Sequence, residues 1–302
     1  MGKEISRVGS DYSLRSILRA MNLTSPREVT EVLEQRKIRP NKTLGQNFLI
    51  DRNILNIIVD SAELYPEAKV VEVGAGLGVL TEQLVAKSSH VTAIEKDSGL
   101  YDILSERFCG EERLKLIHGD ALDVDFEEIF KSGVTRLVSN LPYSVGVRVV
   151  VNAIACENAP EVMSLLLQKE VGERFAAKQG TSDMGVVTVW LQQLYDVTLV
   201  HNVKPSCFYP KPDVISTIIK LKKHNRFPLE KGESVFFKQL TKTAFLHRRK
   251  QLASAMRNAP NGLARTAEFI RTALHTIGAP ETARPEEISV EQWIRLAKEW
   301  SS

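Results

Sequence analysis

Lys69-Val70-Val71-Glu72-Val73-Gly74-Ala75-Gly76-Leu77-Gly78-Val79-Leu80-Thr81 is the stretch that decides the fold. A β-branched run of strand length passes into a loop with glycine at every second position. Such a loop permits a tight turn and close approach of backbone to a ligand at the start of the next helix. Further short runs follow at His90 to Ile94, Leu114 to Ile117, Val134 to Ser139 and Val162 to Leu167, mostly separated by enough chain for a crossover helix. This alternation predicts a parallel, doubly wound α/β sheet. The G-x-G-x-G spacing departs from the dinucleotide fingerprint G-x-G-x-x-G, which argues against a nicotinamide dehydrogenase.

Open α/β sheets bind ligands at the carboxyl ends of their strands, and three successive strand ends here carry suitable groups. After the glycines comes Glu95, about twenty residues on, where a carboxylate can bind a ribose diol. The next strand ends in His118-Gly119-Asp120-Ala121, and Asp120 could accept an exocyclic amine. The fourth ends in Asn140-Leu141-Pro142-Tyr143. An Asn amide oxygen and the carbonyls beside a proline can accept hydrogens from an amine, and a Tyr can stack on the ring bearing it. Taken alone, the tetrapeptide reads equally well as a Pro-containing turn after a buried strand. Its company at the sheet edge favours an adenine-N6 pocket.

The chain has 302 residues, 43% hydrophobic and 25% charged, which fits one large domain plus a smaller one and excludes a disordered protein. No apolar run approaches a membrane span and no signal-peptide core is present, so a cytoplasmic protein without membrane association is expected. Cys109, Cys156 and Cys207 lack metal-type spacing, and neither disulfides nor a metal site is expected. His201, His224, His247 and His275 share no ligand-spaced partner and read as surface or capping residues. Net charge is uneven: +4 over residues 1–50, −10 over 51–200, +10 over 201–258 and −1 over 259–302. Basic segments flanking an acidic body suggest a polyanionic partner.

Seven motifs taken together resemble one family, the rRNA adenine N6,N6-dimethyltransferases, which include small-subunit dimethyladenosine transferases and erythromycin-resistance methylases. They are Leu44-Gly45-Gln46-Asn47-Phe48-Leu49-Ile50-Asp51, the Glu72 to Thr81 loop, Glu95, Gly119-Asp120, Asn140-Leu141-Pro142-Tyr143, Gln168-Lys169-Glu170-Val171-Gly172-Glu173-Arg174, and Phe208-Tyr209-Pro210-Lys211-Pro212-Asp213-Val214. The resemblance implies a Rossmann-like class I methyltransferase sheet with a small all-helical C-terminal domain. It implies S-adenosylmethionine as cofactor, with Asn47, Leu49, Gly74, Glu95, Asp120 and Asn140 lining its site. It further implies dimethylation of two adjacent adenosines in the 3′-terminal hairpin of small-subunit (16S) rRNA, with an immature 30S particle as partner.

In that chemistry Asn140 and the Leu141 carbonyl would accept the N6 hydrogens, and Pro142 would keep the carbonyl aimed. Tyr143 would stack on a flipped adenine, with Phe208 a candidate for its opposite face. Asp51 is the expected N-cap of the helix following the arm, and Ser25-Pro26-Arg27-Glu28 and Ser289-Val290-Glu291-Gln292 read as capping boxes. Tyr195 to Val203 and Ile215 to Leu221 read as strands finishing the sheet, and helices are expected over 233–246, 264–276 and 289–300. The domains expected are a helical extension and arm over 1–50, a methyltransferase domain over 51–225 and a helical RNA-binding domain over 226–302. The cation run Arg248-Arg249-Lys250 is the expected phosphate contact. A monomer is the simpler expectation. Two other readings stand beside this one: a large-subunit rRNA methylase conferring macrolide resistance, and a non-catalytic RNA-binding assembly factor.

Overall fold

The structure is a computed structural model that describes residues 21–40, 45–260 and 262–301; the extension over residues 1–20 and Leu44 of the arm motif lie outside the described residues. Helix α1 (Pro26–Gln35) leads to the arm strand β1 (Phe48–Leu49) and α2 (Arg52–Ser61). Asp51 caps α2 by accepting from the Asn53 and Ile54 amides at 2.9 and 3.1 Å. Pro26 opens α1, but the expected capping box is not made: the Ser25 side chain makes no cap hydrogen bond, and Glu28 instead receives the Asn22 amide.

Alternating elements then build the sheet: β2 (Lys69–Val73), α3 (Val79–Lys87), β3 (His90–Glu95), α4 (Ser98–Arg107), β4 (Leu114–His118), α5 (Phe126–Lys131), β5 (Arg136–Asn140), α6 (Gly146–Ala155) and β6 (Val162–Gln168). The pairs β2·β3, β3·β4, β2·β5 and β5·β6 are all parallel, with Val70 opposite both Val91 and Arg136. After α7 (Lys169–Phe175) and α8 (Val186–Leu194), strands β7 (Tyr195–Val203) and β9 (Ser216–Lys223) complete a seven-stranded sheet of order β4-β3-β2-β5-β6-β9-β7. Between them a short strand, β8 (Phe208–Tyr209), leaves the sheet and pairs antiparallel with β1, Phe48 opposite Tyr209 and Leu49 opposite Phe208. Burial on both faces explains the largely apolar runs of β2 and β6.

The remaining helices are α9 (Lys231–Phe245), the short α10 (Leu252–Ala255), α11 (Ala267–Thr276) and α12 (Val290–Ser301). The Ser289 capping box forms as read: Gln292 Oε1 accepts the Ser289 amide and Ser289 Oγ accepts the Gln292 amide. The chain separates into two compact units, residues 1–169 with 199–221, and 170–198 with 222–302. Residues 170–198 therefore group with the helical tail rather than with the sheet domain to which the sequence reading assigned them. The reason is packing: Met184 and Val189 share a buried cluster with Phe237, Leu240 and Trp293, and Trp190 Nε1 donates to Thr241 Oγ1 at 2.9 Å. Nor is the described part of 1–50 separate, because Val29, Val32 and Leu33 of α1 pack with Leu77, Leu100 and Ile103 of the first unit. Among the described residues no helix is long and apolar enough to cross a membrane.

Gly78 caps α3 at φ +79°, and a Cβ there would sit 2.6 Å from Phe108 Cε2 and 2.9 Å from Leu104 Cδ2. The loop is thus held against α4, where buried Arg107 donates to the Leu77 carbonyl at 2.7 Å and to Glu82 at 2.8 Å. Gly78→Ala adds left-handed strain of about 1–2 kcal/mol to the cost of overpacking and should destabilise the protein by at least about 2 kcal/mol in urea unfolding. An unchanged midpoint would show that α4 yields to the methyl group.

Candidate functional site

Strands β2 and β5 are neighbours, yet the chain leaves β2 toward β3 and β4 on one side and enters β5 and β6 on the other. At such a switch point the segments following the two strands diverge and open a crevice at their carboxyl ends. A cavity fills that crevice, lined by the arm at Gly45 to Leu49, the loop from Glu72, Glu95 with Lys96, Gly119 to Ala121, and Asn140 to Val145. Every residue expected at a cofactor site lines it: Asn47, Leu49, Gly74, Glu95, Asp120 and Asn140, together with Leu141 and Tyr143.

The acids are held by backbone. Glu95 accepts the Gly76 amide on one oxygen at 2.8 Å and the Asp97 amide on the other at 2.9 Å, so the carboxylate pins the glycine loop while keeping lone pairs for a diol. Burial pushes its pKa up, opposed by those amides. Asp120 accepts the Leu122 amide at 2.9 Å and pairs with Lys96 at 2.7 Å. The Lys96 hydrogen bond, helped by the amide, holds this carboxyl below the usual range. Lys96 was not picked out in the sequence, although a cation directly after Glu95 was a readable signal. Glu72 is fully buried, accepts from Thr81 Oγ1 at 2.6 Å, and is pushed up to about 8, chiefly by burial.

Opposite lies the Asn140 group. Asn140 Nδ2 donates to the Asn47 carbonyl of the arm at 3.0 Å, which orients the amide and reserves Oδ1 as an acceptor. Asn47 in turn donates its own Nδ2 to the Gly45 carbonyl at 3.1 Å. Leu141 N extends the sheet by donating to Leu166 O at 3.0 Å, and the Pro142 carbonyl accepts the Val145 and Gly146 amides that start α6. Gly74, at φ +74°, lies so near that a Cβ would sit 3.0 Å from Pro142 Cγ, which ties the glycine loop to the tetrapeptide. The Tyr143 ring is half-buried, and its hydroxyl bonds Ser216 Oγ.

Phe208 is the correction. It is 1% exposed, packs among Leu49, Ile58, Val203 and Ile218, and is not part of the cavity lining. Pairing of β8 with β1 sets which way each of its residues faces, and Phe208 faces the core. Arg249 and Lys250 are exposed in the turn after α9, whereas Arg248 donates to the Ser182 carbonyl at 2.6 Å and braces that turn.

A family model described as ribosomal RNA adenine dimethylase matches residues 37–301. The chain is 37% identical over 271 residues to the ribosomal RNA small subunit methyltransferase A of Clostridium acetobutylicum, covering 89% of this chain and 96% of the relative. With the protein of that name from Geobacter metallireducens it shares 35% over 269 residues, covering 86% and 95%. Among solved structures it resembles a dimethyladenosine transferase from Plasmodium falciparum at TM-score 0.68 and 23% identity, over 82% of this chain and 95% of that one. It also resembles the 23S rRNA methyltransferase ErmE at TM-score 0.64 and 24% identity, over 85% and 100%. These two structures support the fold.

Glu72 has a consequence for stability. Its ordinary pKa is 4.5 and burial raises it to about 8. The folded chain therefore keeps a proton that the unfolded chain loses, so this contribution to stability is whole below pH 4.5 and is lost as pH rises to about 8. Ligand-free protein should melt at progressively lower temperature from about pH 5 to about pH 8.5, and Glu72→Gln should flatten that decline. Equal slopes for the two proteins would mean that Glu72 is ionised in the fold.

Proposed function

We propose that this chain, which belongs to the ribosomal RNA adenine dimethylase family, uses this cavity to dimethylate the N6 amines of adenosines in small-subunit rRNA with S-adenosylmethionine. The observation that carries the reading is the Asn140 amide, turned by the Asn47 carbonyl so that its oxygen is left to accept from an amine. Names borne by relatives at 35% and 37% identity favour the small subunit over the large one. An intact Asn140-Leu141-Pro142-Tyr143 beside an intact glycine loop speaks against a non-catalytic assembly factor.

Bound S-adenosylmethionine would supply a sulfonium methyl, with the neutral thioether as a leaving group that needs no further activation, and each transfer would end with loss of one N6 proton to solvent. The lining fits such a molecule: Glu95 offers two acceptors for its ribose diol, Asp120 an acceptor for its adenine amine, and Gly74 leaves the backbone open to it. On the other side the chain must handle a poor nucleophile, because the adenine N6 lone pair is delocalised into the ring. Asn140 Oδ1 and the Leu141 carbonyl would draw the N6 hydrogens and stabilise positive charge developing on nitrogen. Tyr143 would stack on the flipped base. For a second methyl only one N–H remains, so one acceptor then suffices.

Two adjacent adenosines of the 3′-terminal hairpin in an immature particle are the proposed target. Arg249 and Lys250 are the proposed phosphate contacts, with Arg248 holding their turn in shape. A monomer working in the cytosol is the proposed form of the protein. Incubation with labelled S-adenosylmethionine and unmethylated small-subunit particles, followed by digestion to nucleosides, should yield N6,N6-dimethyladenosine. Label confined to large-subunit RNA would overturn the assignment.

Asn140→Ala should lower kcat at least about a hundredfold, the scale for removing one charge-stabilising partner, while cofactor affinity weakens without vanishing. Turnover near wild type would reject the role. Neutralising Arg249 and Lys250 should weaken RNA binding and reduce the slope of log K against log salt by about 1–2. An unchanged slope would place the phosphate contacts elsewhere.

A further inference from the structure

We infer that Ser216 is a positioning residue for methyl transfer, its buried hydroxyl holding the ring of Tyr143 at the place where it stacks on adenine. This rests on the reading that Tyr143 stacks on the target base. Ser216 opens β9, is 0% exposed, and meets the Tyr143 hydroxyl from 73 residues away in sequence. Tyr143 itself lies in the turn between β5 and α6, where no strand ladder fixes the side chain. A tyrosine side chain has two torsions, and because the hydroxyl lies on the axis of the second, a hydrogen bond there fixes the first and with it the place of the ring. A ring fixed before the base arrives avoids the ordering cost that a swinging ring would impose on binding.

The segment carrying Ser216 also explains why both halves of the amine pocket hold together. Its earlier residues, Phe208 and Tyr209, pair with the arm strand at Leu49 and Phe48, next to the Asn47 whose carbonyl orients Asn140. Its later residues Val214 and Ile215 are exposed, 43% and 47%, and Ser216 is where the chain enters the core beside Tyr143. One stretch thus sets Asn140 through the arm and Tyr143 directly. Burial raises the Tyr143 pKa, so the hydroxyl stays protonated and the tether holds throughout the neutral range.

The test is a double-mutant cycle on the full chain, with kcat/KM for methyl incorporation into small-subunit particles and the Kd for S-adenosylmethionine measured without RNA. Ser216→Ala and Tyr143→Phe each remove the same hydrogen bond, and each should lower kcat/KM about fivefold to tenfold. The double variant should be no worse than the weaker single one, with cofactor Kd unchanged in all three. Losses that multiply, a Ser216→Ala enzyme with wild-type kcat/KM, or a loss tracking cofactor Kd would overturn the proposal. Should Ser216→Ala fail to fold, Tyr143→Phe decides alone, because full activity there means the tether does nothing. Tyr143→Ala separates the two ideas: wild-type turnover in that variant would sink the stacking reading itself.

Discussion

The neighbouring parallel strands β2 and β5, whose chains depart in opposite directions, are the constraint on which the rest depends. A sheet that fans from this line leaves one gap at its carboxyl edge where backbone amides and carbonyls face a ligand instead of each other. Glu72, Glu95, Asp120 and Asn140 converge there because each lies at or within two residues of the carboxyl end of a strand of that sheet. The approach of Gly74 to Pro142 shows how closely the two sides of the gap are joined, since a single methyl group would separate them.

Around this gap nearly every polar group is already held by the protein. Glu95 is anchored by two backbone amides, Asp120 by an amide and Lys96, and Asn140 by a carbonyl. Such groups need little reorganisation when charge develops near them, which is how fixed dipoles assist a reaction whose nucleophile is poor. The arm contributes twice, through residues that line the cavity and through the carbonyl that turns Asn140.

Much of this was readable in the chain. The β-branched runs fall on the strands to within a residue or two, and the glycine loop, Glu95 and Gly119-Asp120 fall on the cavity wall. Asp51 and Ser289 cap their helices because capping is a contact over three residues, which local sequence encodes. Ser25 does not make its box, since its amide donates to the Asn22 carbonyl at 2.8 Å and Glu28 takes the Asn22 amide. Phe208 next to a proline-rich turn looked like a stacking ring, and nothing in its neighbours distinguishes a core aromatic from one facing a ligand.

By itself, then, the sequence determined the α/β order, the place of the cavity along the strands and the identity of the groups that line it, because strand period, glycine spacing and strand-end residues are short-range signals. Tertiary structure alone decided that Phe208 turns inward, that residues 170–198 pack with the tail helices, that Ser216 bonds Tyr143 and that Lys96 pairs with Asp120. The physical reason is separation: Asn140 to Asn47 spans 93 residues and Tyr143 to Ser216 spans 73. Contacts at that range depend on which way a whole element faces, and strand register and packing settle that only when the chain is folded.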